Sequence, residues 1–291
     1  QKLFRQILGS NQITNLQNLR SPYINRFMLK CFENGILSKP ITEMENADLI
    51  LIFNSDLPSE YPVGGNSARK GAIFTGTELI IANPRNVVFK NEAPIQTRLP
   101  FKLGSDAEVV NRINRIIIDN KMVDLNKVKK LLPNYDELVK SLDGFTAERS
   151  QRLTGLSDDV LFRTAERFVR PADRFIIVGN DILEGGQGEV VLSALLNLSI
   201  LVNVGAKGST SIFPPREHCN SQGCNDMGVT PEFLPGYQPT DNTDNPIEDL
   251  FESCKKGKIK ALYVTGEDPV HTYYKGTLAK EALQTVPFLV V

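Results

Sequence analysis

At 291 residues, the chain is long enough for two domains, or for one large domain with a sizeable core. Its 41% hydrophobic and 23% charged residues describe an ordinary globular protein, and a net charge of −1 gives no argument for nucleic acid or an anionic membrane, so neither is expected as a partner. Apolar runs such as Leu49–Phe53 are too short to span a bilayer, so no direct membrane insertion is expected.

Lys2–Leu8 is a short amphipathic segment, and Ile24–Gly35 has a helical spacing closed by glycine. Ala47–Phe53 reads as a strand buried on both faces, the pattern of parallel sheets. Glu78–Ala82 is a second strand and Pro94–Leu99 a short third one. Ser105 opens a helix, with Ser105 and Glu108 at capping-box spacing. A second α/β cluster begins near residue 151. It comprises a helix from Ser157 to Val169, a strand at Arg174–Val178, a helix at Val190–Val202, a helix at Asn245–Cys254 and a strand at Lys260–Thr265. A helix at Gly276–Leu283 then precedes a buried strand at Val286–Val291. Strands alternating with helices predict βαβ units and a parallel sheet. The expected layout is an N-terminal segment (1–40) packing on the second module, a first α/β module (41–150) and a second (151–291). Both are doubly wound. The missing initial methionine and the apolar C-terminus predict a fragment of a longer polypeptide.

In such sheets, ligands bind beyond the carboxyl ends of the strands. The polar or glycine-rich loops Asn54–Glu60, Asn83–Arg85, Gly179–Gly188 and Gly266–Pro269 all sit there. Gly179–Gly188 either cradles a phosphate or is a simple strand–helix turn, and it matches neither GxGxxG nor a Walker A sequence. Arg85 either pairs with an anion or is a surface arginine. The longest polar loop, Cys219–Pro231, carries Asn220, Gln222, Asn225 and Asp226 and has too little apolar character for a helix or strand. A loop of that kind inside a compact domain suits ligand binding. His218, Cys219 and Cys224 lie close in sequence but show no CxxC and no fourth ligand, so no metal site is expected. The spacing of the four cysteines gives no disulfide framework, which favours a reducing, cytoplasmic setting. No nucleophile–base pair stands out, and no catalytic residue is assigned.

Taken in order, several motifs resemble the molybdopterin oxidoreductase superfamily across nearly the whole chain. These include Asn54-Ser55 with Glu60-Tyr-Pro62, Asn83-Pro-Arg85, Leu103-Gly-Ser-Asp106, Asn220-x-Gln-Gly223 with Asp226-Met-Gly228, Pro235-Gly-Tyr237, and Gly266-Glu-Asp-Pro269. The resemblance implies a bis-molybdopterin guanine dinucleotide cleft between two α/β modules. Asn54, Ser55, Asn83, Arg85, Asp106, Gly179, Asn220, Gln222, Gly223 and Asp226 would line it.

Two positions depart from the family pattern. Asn83 stands where the family usually has an Asp that accepts from a guanine edge. Leu19 stands where formate dehydrogenases carry the Cys or selenocysteine that binds molybdenum, and Arg20 stands at the histidine that follows. Leu19 has no lone pair to give. A fold of this type without a metal ligand resembles the large iron–sulfur subunit of bacterial NADH–quinone oxidoreductase. That resemblance implies a structural contribution to electron transfer and no bound cofactor in this stretch, the molybdopterin guanine dinucleotide site being vestigial. Iron–sulfur clusters would lie only upstream. Other subunits of a respiratory or dehydrogenase complex would be the partners, peripheral to the inner membrane. The alternative is a catalytic molybdenum or tungsten domain of the formate dehydrogenase α type.

Overall fold

The computed structural model describes residues 1–21, 23–33, 39–89, 93–184, 186–205, 208–216, 218–240 and 250–291. Two compact units emerge, Arg26–Pro215 and a second built from Gln1–Asn25 with Arg216–Val291.

The first unit is an α/β fold around a parallel sheet, as the alternation predicts. Its strands are β1 (Leu49–Phe53), β2 (Glu78–Ala82), β3 (Thr97–Leu99), β4 (Asp173–Val178) and β5 (Ser209–Phe213), in the order β3-β2-β1-β4-β5. Every pairing is parallel, with Phe53 opposite both Ala82 and Val178. All of β1 is buried, which explains why it reads as an unbroken apolar run. Ile50, Ile52, Leu79, Ile81, Phe175 and Ile177 form one core with Leu57, Ala68 and Ala72. Each large aliphatic side chain removed from water in this layer contributes about 1.5–3 kcal/mol. The helix Asp106–Asp119 packs against the helices Asp158–Val169 and Gly188–Gly205.

Strands from both expected modules meet in this sheet, β1, β2 and β3 from the first and β4 and β5 from the second. β5 escapes the sequence pattern, because Ser209-Thr-Ser is too polar to stand out. The capping box also forms differently. Ser105 Oγ donates to the Lys102 carbonyl at 2.6 Å, while Glu108 accepts from Ser150 Oγ at 2.6 Å. Glu108 is buried and answers a tertiary partner instead of the helix end.

Arg174, fully buried at the start of β4, closes the helix Asp158–Val169. Its Nε donates to the Phe168 carbonyl at 2.7 Å and its Nη2 to those of Val169 (2.9 Å) and Pro171. One planar guanidinium thereby satisfies carbonyls that a helix end leaves open.

The second unit contains the two-stranded parallel sheet β6 (Ala261–Tyr263) and β7 (Phe288–Val290). Leu16, Phe251, Cys254, Tyr273, Ala279 and Ala282 form its core, with Leu19 packed against them. The terminal strand, expected to be buried, is exposed, with Phe288 64% and Val291 90% accessible. The Phe4 ring meets the Tyr263 ring of β6 edge-on at 6.0 Å. Of the expected helix Asn245–Cys254, residues 245–249 lie outside the described residues, and the described part runs Leu250–Lys255. Gly35, the expected stop of the Ile24 helix, lies outside them too. No helix among the described residues is long and apolar enough to cross a membrane.

Candidate functional site

The order β3-β2-β1-β4-β5 reverses direction between β1 and β4. In an open parallel sheet that switch point opens a crevice beyond the strand ends. Asn54 and Gly179 are the residues that leave β1 and β4 there. Gly179 N–H donates to the Phe53 carbonyl at 2.9 Å. A Cβ on Gly179 would lie 1.8 Å from the Asn54 carbonyl oxygen. Glycine is thus required by a close backbone approach of two strand ends, which accounts for it without a phosphate. Asn54 itself takes a left-handed conformation (φ 51°), which asparagine tolerates better than most residues.

From this hinge the other candidates of the first unit follow. Asn54 Nδ2 donates to Asp106 Oδ1 at 2.9 Å, tying the end of β1 to the start of the helix Asp106–Asp119. Burial raises the pKa of Asp106, and the nearby Asp181 carboxylate adds to the effect. Ser55, fully buried, donates from Oγ to Glu60 Oε2 at 2.8 Å. The exposed Arg85 guanidinium lies 3.5 Å from Glu60 and 3.2 Å from Asp181. Asn83 leaves β2 beside Asn54. Its Oδ1 accepts from the Arg85 amide at 2.8 Å, while its buried Nδ2 has no partner among the described residues. The structure therefore gathers Asn54, Ser55, Asn83, Arg85, Asp106 and Gly179 at one end of one sheet.

Asn220, Gln222, Gly223 and Asp226 belong to the second unit. The segment expected to be an extended loop contains a short helix, Ser221–Asp226, entered through Asn220 at φ 59°. Hydrogen bonds, not apolar periodicity, hold it, which is why composition points the other way. Ser221 Oγ donates to the His218 carbonyl at 2.8 Å. Asn225, fully buried, accepts at Oδ1 from both Asn15 and Asn18 Nδ2, each at 3.0 Å. Its own Nδ2 donates to Asn25 Oδ1 at 2.7 Å, and Asn25 Nδ2 donates to Asn18 Oδ1 at 3.2 Å. Asn18, Asn25 and Asn225 thus close a ring of three amides, each donating and accepting once around it.

On this helix, Gln222 Nε2 donates to Asp226 Oδ1 at 2.7 Å and to the Tyr237 hydroxyl at 2.6 Å. Arg216 Nη2 donates to Gln222 Oε1 at 2.8 Å. Burial lowers the pKa of Arg216, and its buried Nη1 has no partner among the described residues. Burial, reinforced by Asp226, pushes the Tyr237 phenol up to about 12. The cluster pairs one carboxylate with a guanidinium that has a spare donor, an arrangement suited to an anionic or acceptor-rich group. Arg216 escapes sequence reasoning as a functional candidate, while Asn225, named there with the loop amides suited to a ligand, is fully buried. An isolated arginine entering a loop carries no periodicity, and Asn225 looks like one more loop amide. Among the described residues, no group of three or more His, Cys, Asp or Glu side chains is placed to hold a metal ion.

Known proteins resemble the chain along its whole length. It is 24% identical over 310 residues to formate dehydrogenase H of Escherichia coli, covering all of this chain and 43% of that protein. It is 27% identical over 308 residues to the α subunit of F420-dependent formate dehydrogenase 2 of Methanococcus maripaludis, covering all of this chain and 45% of that protein. It is 25% identical over 306 residues to the α subunit of NADPH-Fe(3+) oxidoreductase of Geobacter sulfurreducens, covering all of this chain and 36% of that subunit. The chain thus spans less than half the length of these relatives. Among solved structures, acetylene hydratase from Pelobacter acetylenicus superimposes with a TM-score of 0.64 at 15% identity, over 96% of this chain and 45% of that one. That likeness bears on the fold alone. The profile of the molybdopterin oxidoreductase family matches residues 1–291, and the chain belongs to that family.

Proposed function

We propose that the chain is a molybdopterin-oxidoreductase-like domain in the large subunit of a multi-subunit oxidoreductase, of the kind found in NADH–quinone oxidoreductase. It supports electron transfer structurally and ligates no metal at residue 19. One observation carries this reading: Leu19 sits in the short helix Leu16–Arg20 and packs against the apolar cluster of Leu16, Phe251, Cys254 and Tyr273. A metal ligand there would need a lone pair and a polar surround. Leu19 offers neither, so the residues present do not fit a metal centre at this position, and no chemical step is derived through one. The polar groups at both candidate clusters remain, which supports retention of the family scaffold. The match to subunits of larger oxidoreductases supports partner subunits.

A second reading is favoured by a different observation. Several relatives are formate dehydrogenases, and Arg216 Nη1, a buried atom with no partner among the described residues, is a donor that suits a carboxylate. In that reading the domain is catalytic and its metal is held by groups other than residue 19.

Activity of the native complex separates the two. The proposal expects NADH-dependent reduction of a quinone analogue and no formate-dependent dye reduction. Formate-dependent dye reduction by the purified complex would contradict it.

A further inference from the structure

A recess of about 660 Å³ opens on the first unit, lined by Met122, Arg163, Glu166, Arg167, Val169 and Arg170. It lies at the end of the sheet away from Asn54, Asn83 and Gly179. Arg170 precedes β4, and Arg167 Nη1 reaches Glu78, the first residue of β2, at 3.2 Å. Arg163, Arg167 and Arg170 recur at the i, i+4, i+7 spacing of one helix face. Basic residues at a helix C-terminus commonly serve its open carbonyls. Here Arg174 already takes the carbonyls of Phe168, Val169 and Pro171, so the three outer arginines are not needed for that task.

Their present pairings leave two of the three available. Arg163 meets Asp159 at 3.2 Å with both side chains well exposed, and a surface pair of that kind yields readily. Arg170 is exposed and its side chain has no partner among the described residues. Arg167 is the one held more firmly, half-buried against Glu78. Met122 and Val169 are half-buried and bring apolar surface to the same recess. Arginine and methionine are enriched where protein surfaces meet and lysine is depleted there, and this lining holds no lysine. Three of its six residues are arginine against one glutamate, in a chain of net charge −1. Charge complementarity therefore asks for an acidic occupant that also carries an apolar side chain, and Glu166 is left to a donor on that occupant.

We infer that this recess docks an acidic, extended segment of a partner subunit. One carboxylate pairs with Arg170 and another with Arg163 in exchange for Asp159, while an apolar side chain between them packs on Met122 and Val169. Arg163 and Arg170 stand about 10 Å apart along the helix axis, a span that an extended chain covers in about three residues. The inference rests on the reading that the chain works beside partner subunits, and it is independent of which reaction the complex runs.

Carbodiimide coupling in the purified native complex tests it, because the reagent joins a lysine only to a carboxylate in contact with it. Arg163→Lys and Arg170→Lys are conservative substitutions at exposed positions. Mass spectrometry is expected to find their side chains joined to Asp or Glu residues of another subunit. Absence of an intersubunit product from both variants overturns the inference. Charge reversal gives an independent reading. The double variant Arg163→Glu, Arg170→Glu is expected to bind its partner at least about tenfold more weakly at low salt, with the gap closing as salt screens the like charges. A double variant that assembles as tightly as wild type overturns the docking surface and leaves the multi-subunit reading standing. If the double variant does not fold, the coupling result decides alone. Binding of inorganic pyrophosphate at these arginines in the assembled complex also overturns it, since the recess is then an open anion site. A protein that purifies as a single chain contradicts the partner reading itself.

Discussion

Asn225 Nδ2 and Asn25 Oδ1 meet at 2.7 Å, joining a residue of the polar segment to one two hundred positions earlier. With Asn18 they close the amide ring, so the helix bearing Gln222 and Asp226 is fastened to the N-terminal segment through polar groups. Such a network is firm only while complete, because each member removed strands the others in a dry environment. Asn225→Ala leaves Asn25 Oδ1 without its Asn225 donor and leaves Asn15 and Asn18 Nδ2 only the Val229 carbonyl, at 3.2 and 3.3 Å, and is expected to cost about 2 kcal/mol. Urea unfolding reads this as a lower midpoint with an unchanged slope. A midpoint within error of wild type would show that the ring adds nothing.

Arg174 makes a second polar closure, in the first unit. Replacing it by Met keeps most of the volume and leaves the carbonyls of Phe168, Val169 and Pro171 open. The expected loss is about 3 kcal/mol. Arg174→Lys is expected to recover little, because an ammonium lacks the planar fork that spans these acceptors. Full rescue by Lys would show that charge, and not geometry, matters.

Two of the candidate glycines, one in each unit, are expected to respond differently. At Gly179 a methyl group meets the Asn54 backbone oxygen at 1.8 Å, which no rotamer relieves. Gly179→Ala should destabilise by more than about 3 kcal/mol and yield little soluble protein. At Gly223 the nearest atom is Asn220 Oδ1, at 2.2 Å, the end of a mobile side chain in an exposed residue. Alanine is also the better helix former, by about 1 kcal/mol. Gly223→Ala should therefore leave stability within about 1 kcal/mol of wild type while moving Asn220. Thermal melts of the two variants, measured side by side, check the contrast.

The Tyr237 phenol gives a prediction in pH. Its folded pKa of about 12 lies above the ordinary value of 10.0. The folded state thus favours the neutral phenol, whose stabilisation is complete below pH 10 and lost as pH rises towards 12. Ultraviolet titration of phenolate in wild type minus Tyr237→Phe should show one late-ionising group. A difference curve centred at the ordinary value would refute the burial of this hydroxyl.

Asp106 carries the same sign at lower pH. Burial raises its pKa, so the ionised form that prevails at neutrality is the one the fold disfavours. The protonated form's advantage is complete below the ordinary carboxylate value of 3.8 and fades as pH rises through the folded value. Asp106→Asn keeps an oxygen for Asn54 Nδ2 and should be more stable than wild type at pH 7, with the difference shrinking under acid. Chemical unfolding at both pH values measures this.

Much of the fold is legible in the chain because β1, β2 and β4 are buried on both faces and leave unbroken apolar runs. Their carboxyl ends can be read as well, and the six candidates there do converge. The division into units is not legible. Whether Arg174–Val178 pairs with Leu49–Phe53 or starts a new sheet depends on a pairing 125 residues apart, which local periodicity does not encode. The helix Ser221–Asp226 is hidden for a related reason. Its stability comes from Asn15, Asn18 and Asn25, residues distant in sequence. The motif alone makes Asn220 to Asp226 candidates, but only the geometry joins Arg216 to them.

Leu19 bears most directly on the metal-free reading, and metal analysis of the purified full-length protein tests it. The packing of Leu19 into an apolar cluster predicts molybdenum and tungsten well below one atom per chain. One molybdenum or tungsten per chain would contradict it.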